Sequence, residues 1–228
     1  MNFHKIVRML CLVFALLLTH CRSVLSKDET FFKISDESRI YLNGKATLHN
    51  WACEATVVLG LFEINMLTED LLPLLDYIEQ PLASDPNDLT LHHASEKGGL
   101  VSVYLEIPIR SLECGDRFME KDLRKVLKEK YYPTIHYHYL SLKHVTRAPE
   151  RRGLCLEVEG IFEMAGVQKT IITDFSLSKV GASHLRLRGS HLFRMTEFGV
   201  IPPSALFGLL RAYNEVEVFF AISLAVEK

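Results

Sequence analysis

The chain has a single tryptophan, and its longest apolar run, residues 9–18, falls well short of the roughly 20 residues a membrane-spanning helix needs. A helical membrane anchor is therefore the weaker reading of that run. Charge of one sign is also lacking: 26 basic residues stand against 28 acidic ones, and no Lys/Arg cluster is free of neighbouring Asp or Glu. That balance argues against a polyanionic partner such as nucleic acid. The sequence has no glycine-rich phosphate loop, no Gly-x-Ser-x-Gly elbow and no paired-carboxylate strand end. The usual signals of nucleotide enzymes, serine hydrolases and glycosidases are thus missing, and no catalytic residue is assigned. Repeats and low-complexity tracts are absent too.

What the sequence does have is alternation. Along residues 154–164 the even positions carry Leu154, Leu156, Val158, Phe162 and Met164, while Glu157, Glu159 and Glu163 fall between them. The same alternation, now on odd positions, continues through Ile171, Thr173, Phe175 and Leu177, then Leu185, Leu187, Gly189, His191, Phe193 and Met195. It ends with Val216, Val218, Phe220, Ile222, Leu224 and Val226. Successive side chains of a strand point to opposite faces, so long strands of this kind predict an antiparallel sheet closed around an apolar interior. Residues 38–48 read as a strand with Ile40, Leu42, Gly44, Ala46 and Leu48 inward. Residues 51–61 read as another, with Trp51, Cys53, Ala55, Val57 and Leu59 inward. Further strands are predicted over 99–109, with Val101, Val103, Leu105 and Ile107 inward, and over 134–142. The count is about eight, at which a barrel holds its own side chains or one small ligand. The predicted fold class is all-β, an extended antiparallel barrel of about eight strands with one flanking helix and a partly helical insertion.

The helix is predicted over 116–130, where Met119, Leu123, Val126 and Leu127 form an apolar stripe and Tyr131, Tyr132 and Pro133 end it. The insertion covers residues 67–97, helical in its first part and broken by Pro81, Pro86 and Asn87. At the N-terminus, Lys5 and Arg8 precede the apolar run and polar residues follow it, the pattern of an export signal over residues 1–26. Two processing sites fit. Val24 and Ser26 have signal-peptidase spacing, whereas Leu18-Thr19-His20-Cys21 has the outline of a lipoprotein box that would place a lipid anchor on Cys21. Loss of residues 1–26 removes three basic residues and no acid, moving the formal charge from −2 to −5. An oxidising compartment would allow a disulfide. Parity puts Cys155 outside, which leaves Cys53 and Cys114 as the better pair; two buried thiols fit the spacing equally well.

Several strings resemble the YceI-like family of exported, lipocalin-like, polyisoprenoid-binding barrels. They are residues 44–51 (GKATLHNW), 107–112 (IPIRSL), 132–135 (YPTI), Gly160 with 166–169 (GVQK), and 195–203 (MTEFGVIPP). Together they place one domain over residues 36–228. The resemblance implies an apolar tunnel for an isoprenoid or quinone-like lipid, with no cofactor beyond that lipid. It also implies a periplasmic or envelope location and a role in transport, storage or sequestration. The ligand-lining candidates are Trp51, Val103, Leu105, Tyr137, Phe162, Phe175, Leu177, His191, Phe193, Met195 and Phe220. Of the inward polar residues, Thr173, His191, Tyr137 and Tyr139 are placed to orient a head group. One alternative is an interaction or stress-related envelope protein with a filled barrel. A weaker one is a metal-dependent envelope enzyme using His136 and His138, which share one strand face; that face reads as outward, so no metal site is assigned.

Overall fold

The computed structural model describes residues 29–67, 100–148, 153–181, 184–205 and 210–227. The expected signal with Cys21, and nearly all of the expected insertion, lie outside the described residues. Twelve strands are present among those residues. They are β1 Glu29–Ile34, β2 Arg39–Ala46, β3 Asn50–Ala55, β4 Leu59–Leu67, β5 Leu100–Pro108 and β6 Leu112–Glu113. There follow β7 Thr134–Arg147, β8 Leu154–Met164, β9 Val167–Val180, β10 His184–Arg194, β11 Ser204–Ala205 and β12 Leu210–Glu227. The α-helix α1 spans Arg117–Val126.

Every strand pairing is antiparallel, and the ring closes. Strands β4, β5, β7, β8, β9, β10 and β12 lie side by side in that order, and β1 pairs with both β4 and β12. Eight strands therefore form the barrel. Strand β12 is long enough to serve two partners on one edge, β2 along Ala212–Ala221 and β1 along Leu224–Glu227. Thus β1 with β2, β3 with β4, and β5 with β6 are three strands that each break once along their length.

The breaks adjoin one another, and hydroxyl groups replace the missing ladder bonds. At the first, the Ser35 N–H donates to Ser223 O at 2.8 Å, and the buried Ser38 Oγ accepts from the Ser223 N–H at 3.0 Å. At the second, the Thr56 N–H and Oγ1 both donate to Ser111 O, at 3.2 and 3.3 Å. At the third, Ser111 Oγ donates to Pro108 O at 2.7 Å. A buried polar backbone must find partners somewhere, and here short side chains supply them.

These breaks correct the expected inward set. Residues 56–58 reset the parity between β3 and β4, so Val57 and Leu59 are exposed and Phe62 faces Phe32 inside, ring centroids 6.0 Å apart. Leu48 also lies outside, because β2 ends at Ala46 and a turn follows. In β7 two register shifts, at Tyr139/Ser141 and Leu142/His144, carry the strand past its expected end to Arg147 and expose Leu140 and Leu142. For β8, β9, β10 and for β12 from Val216 onward the alternation holds without interruption, while β12 shifts register against β2 between Ala212 and Val216.

Helix α1 begins where Asp116 caps it, the carboxylate accepting from the N–H groups of Phe118 (2.7 Å) and Met119 (3.2 Å). It ends earlier than the sequence predicts, since Lys128 adopts φ 58° and its carbonyl takes the N–H groups of Tyr131 and Tyr132. The apolar stripe closes one end of the barrel, with Leu123 and Leu127 buried and Met119 and Val126 packed against them. A disulfide between Cys53 of β3 and Cys114 ties the start of this helical segment to the wall, and Cys155 is a free thiol.

Candidate functional site

The barrel interior is the candidate site, and it has two parts. Beneath α1, Phe162, Phe193 and Phe198 form an aromatic cluster with centroids 4.5 to 5.8 Å apart. Met195, Val200, Val216 and Phe220 are buried beside it. The space left among these side chains and Leu42, Trp51 and Leu127 is about 50 Å³. This small apolar cavity is about a third of the roughly 150 Å³ that takes up benzene, so this end has no room for a lipid chain.

Further along the interior the packing loosens. Val145, Leu156, Phe175, Leu177 and Leu187 pack on the core, yet each is only half-buried. The pairings Val145 with Leu156, Leu156 with Phe175, and Leu177 with Leu187 make them one continuous strip across β7 to β10. Phe175 also meets Phe220 at 5.8 Å, which joins the strip to the end beneath α1. On β9 charge enters the inward parity only at the two ends, at Lys169 and Lys179.

A polar belt lies between the two parts. The Nδ1 of His191 is 3.2 Å from Thr173 Oγ1, and the imidazole packs on Phe193 at 4.5 Å. Burial, the largest influence, holds the His191 pKa below its ordinary value, against a backbone hydrogen bond to Ile172 and the charge of Glu197. Tyr137 is 7% exposed, and its hydroxyl has no protein hydrogen-bond partner. Burial, with a smaller contribution from Tyr139, pushes its pKa up to about 12. Its ring lies over Gly160, where an added Cβ would come within 2.5 Å of the phenol. Gly44 gives Trp51 the same clearance, an added Cβ falling 2.1 Å from the indole.

The sequence candidates therefore separate. Leu105, Tyr137, Phe162, Phe193, Met195 and Phe220 are buried, and Trp51, Val103, Phe175, Leu177 and His191 are half-buried. Phe198 belongs to the interior although it lies beyond the alternating run that ends at Met195. It follows β10 in a 3-10 turn where alternation no longer applies, so parity could not find it. On the outer face, His136 Nδ1 lies 2.7 Å from the Tyr104 hydroxyl, which donates to Glu106 Oε1 at 2.5 Å. Among the described residues no three His, Cys, Asp or Glu side chains are grouped so as to hold a metal ion.

The model of the YceI-like domain matches residues 83–224, more than half of the chain. The chain belongs to the YceI-like family. Strands β1 to β4 precede that match and complete the YceI-like ring. Among solved structures, BcnA of Burkholderia cenocepacia superposes with a TM-score of 0.57 at 12% identity, over 84% of this chain and 99% of BcnA. A polyisoprenoid binding domain from Saccharophagus degradans, implicated in plant cell wall breakdown, gives 0.57 at 10% identity, over 86% of this chain and 98% of that one. Likeness at such identity establishes a shared fold. No curated protein matches the chain.

Proposed function

We propose that this YceI-like protein is an exported binding protein that holds an apolar, isoprenoid or quinone-like lipid along the half-buried strip of its barrel. The observation that carries the reading is the strip itself. Side chains that merely filled a barrel would be buried throughout, whereas these keep apolar surface open to an occupant. Covering about 400 Å² of apolar chain would contribute on the order of 10 kcal/mol, less several kcal/mol for association, which leaves micromolar binding within reach. The His191 and Tyr137 belt would meet a carbonyl or hydroxyl on the ligand. The polyisoprenoid binding domain of similar fold supports the ligand class. The role is transport, storage or sequestration in the periplasm or envelope, with no catalysis. Either residues 1–26 are removed or Cys21 is acylated, and the intact mass of the exported protein distinguishes the two.

The test is native mass spectrometry with organic extraction on protein purified from its own envelope, beside the Phe175→Arg variant. A stoichiometric lipid that the folded variant loses is expected. Retention by that variant would overturn binding along the strip. The small cavity beneath α1, without room for a lipid chain, favours a second reading, an interaction protein with no cargo. An empty protein that also refuses added quinones would establish that reading instead.

A further inference from the structure

The outer side of α1 carries a feature that lipid storage does not explain. Six basic side chains, Arg117, Lys121, Arg124, Lys125, Lys128 and Lys130, line an open basin of about 690 Å³, in which the acids are Glu120 and Glu129. In sequence this segment looks evenly mixed, but the fold sorts its charges. Asp116 is engaged in capping the helix. Glu120 accepts the Cys114 N–H at 3.1 Å and lies 3.9 Å from Arg124. Helical spacing sets Lys121 and Lys125 opposite the buried Leu123 and Leu127, with Arg117 and the exposed Asp122 to either side. Arg124 lies along the flank, its Nη2 donating to Arg110 O at 3.3 Å, and Lys128 follows the helix end, so the side that looks away from the barrel carries more cations than acids.

Large apolar side chains flank the basin without cover. Phe118 is 82% exposed and Tyr131 is 74% exposed, with Lys130 Nζ 5.8 Å from the Tyr131 ring centroid. Ile201, 80% exposed, follows Gly199, where an added Cβ would stand 3.9 Å from Lys128 Nζ. Clustered cations with projecting aromatic and aliphatic anchors are what a phospholipid surface recognises: the charges meet anionic head groups while the rings enter the interface. A nucleic acid would use the cations and could stack a ring, but it gains nothing from Ile201.

We infer that the α1 end of the barrel docks on anionic lipid bilayers, with the basic basin on the head groups and Phe118, Tyr131 and Ile201 inserted beside them. Docking does not depend on the cargo reading, because a filled barrel would bind in the same way. The inner side of the same helix lines the apolar cavity, so docking sets that end of the interior one helix away from the membrane.

The experiment is vesicle co-sedimentation of the full chain on phosphatidylcholine alone and with about 30 mol % phosphatidylglycerol. Lys5 and Arg8 flank the N-terminal apolar run, so its insertion would also favour the anionic vesicles, and substitutions on α1, which leave that run unchanged, separate the two contributions. Binding to the anionic vesicles is expected to be at least tenfold tighter and to fall steeply as salt rises to about 0.5 M. Lys121→Gln with Lys125→Gln and Lys128→Gln should weaken it about a hundredfold, each near-surface cation contributing about fivefold. Should that variant lose its structure by circular dichroism, Lys125→Glu carries the same test at about twentyfold. Phe118→Ala should weaken binding at every salt concentration. Equal binding to both vesicle types, an undiminished folded charge variant, or preference for single-stranded nucleic acid over anionic vesicles would each overturn the inference. A cargo-free protein that still docks separates this result from the lipid-storage question.

Discussion

Replacing Tyr137 by Phe removes one oxygen from the barrel interior, and the structure fixes the sign of the effect. The hydroxyl is buried with no protein partner, a situation that costs about 1–3 kcal/mol because the group gives up water and gains nothing. Tyr137→Phe should therefore stabilise the lipid-free protein by a like amount at neutral pH, the ring keeping its place over Gly160. A second effect appears in alkali. The phenol pKa is raised from 10.0 to about 12, so the folded state keeps its proton where the unfolded chain has lost it. Stability carried by that difference is complete below pH 10 and is lost as pH rises towards 12, a fall of about 3 kcal/mol. The variant lacks this titration, so its advantage over the parent should widen across that window. Urea denaturation of lipid-stripped protein at neutral pH and at two alkaline values measures both effects. A variant less stable than the parent at neutral pH would refute the account, since the hydroxyl would then have a partner worth keeping. With a bound ligand that accepts from Tyr137 the sign reverses in affinity, and Tyr137→Phe should bind about tenfold more weakly.

Other outcomes follow from the same interior. His191, whose pKa is depressed, is neutral in the fold at pH values where the unfolded chain is already protonated. Stability is therefore present above the ordinary value of 6.5 and declines on acidification, and His191→Gln should flatten that decline in acid-unfolding curves. Reducing the Cys53–Cys114 disulfide opens a link spanning 61 residues, for which loop entropy gives about 4 kcal/mol. A melting temperature unchanged by reductant would contradict the link. Gly160→Val should clash with the Tyr137 ring and cost about 1–3 kcal/mol in urea. If it were neutral, the tyrosine would have to be lying elsewhere.

The later strands were legible from sequence because β8, β9, β10 and the Val216–Leu224 part of β12 each keep one alternation throughout. The earlier strands were legible only in part. Residues 56–58 look like strand by composition, and only their hydrogen bonds to Ser111 show that the alternation restarts after them. Val57 and Leu59 were misplaced for that reason. The helix was found by its stripe but drawn too long, because a left-handed Lys128 has no mark in composition. Parity did place Tyr137 inside. What it could not convey was that the hydroxyl lacks a partner, which depends on what the rest of the interior brings to it.

The hydroxyl-bridged breaks give the barrel an unequal stiffness. Five strands, β7 to β10 and β12, form a continuous frame, while the three broken strands adjoin one another as a panel creased along a line from Ser223 through Ser38 and Thr56 to Ser111. Flexing along a crease turns a few backbone angles and leaves the ladders on either side whole, whereas flexing the frame would tear them. The width of the lumen is thus governed by one side of the ring, like a hinged leaf in a rigid casing. Amide exchange along the crease should be faster than in the strands it separates.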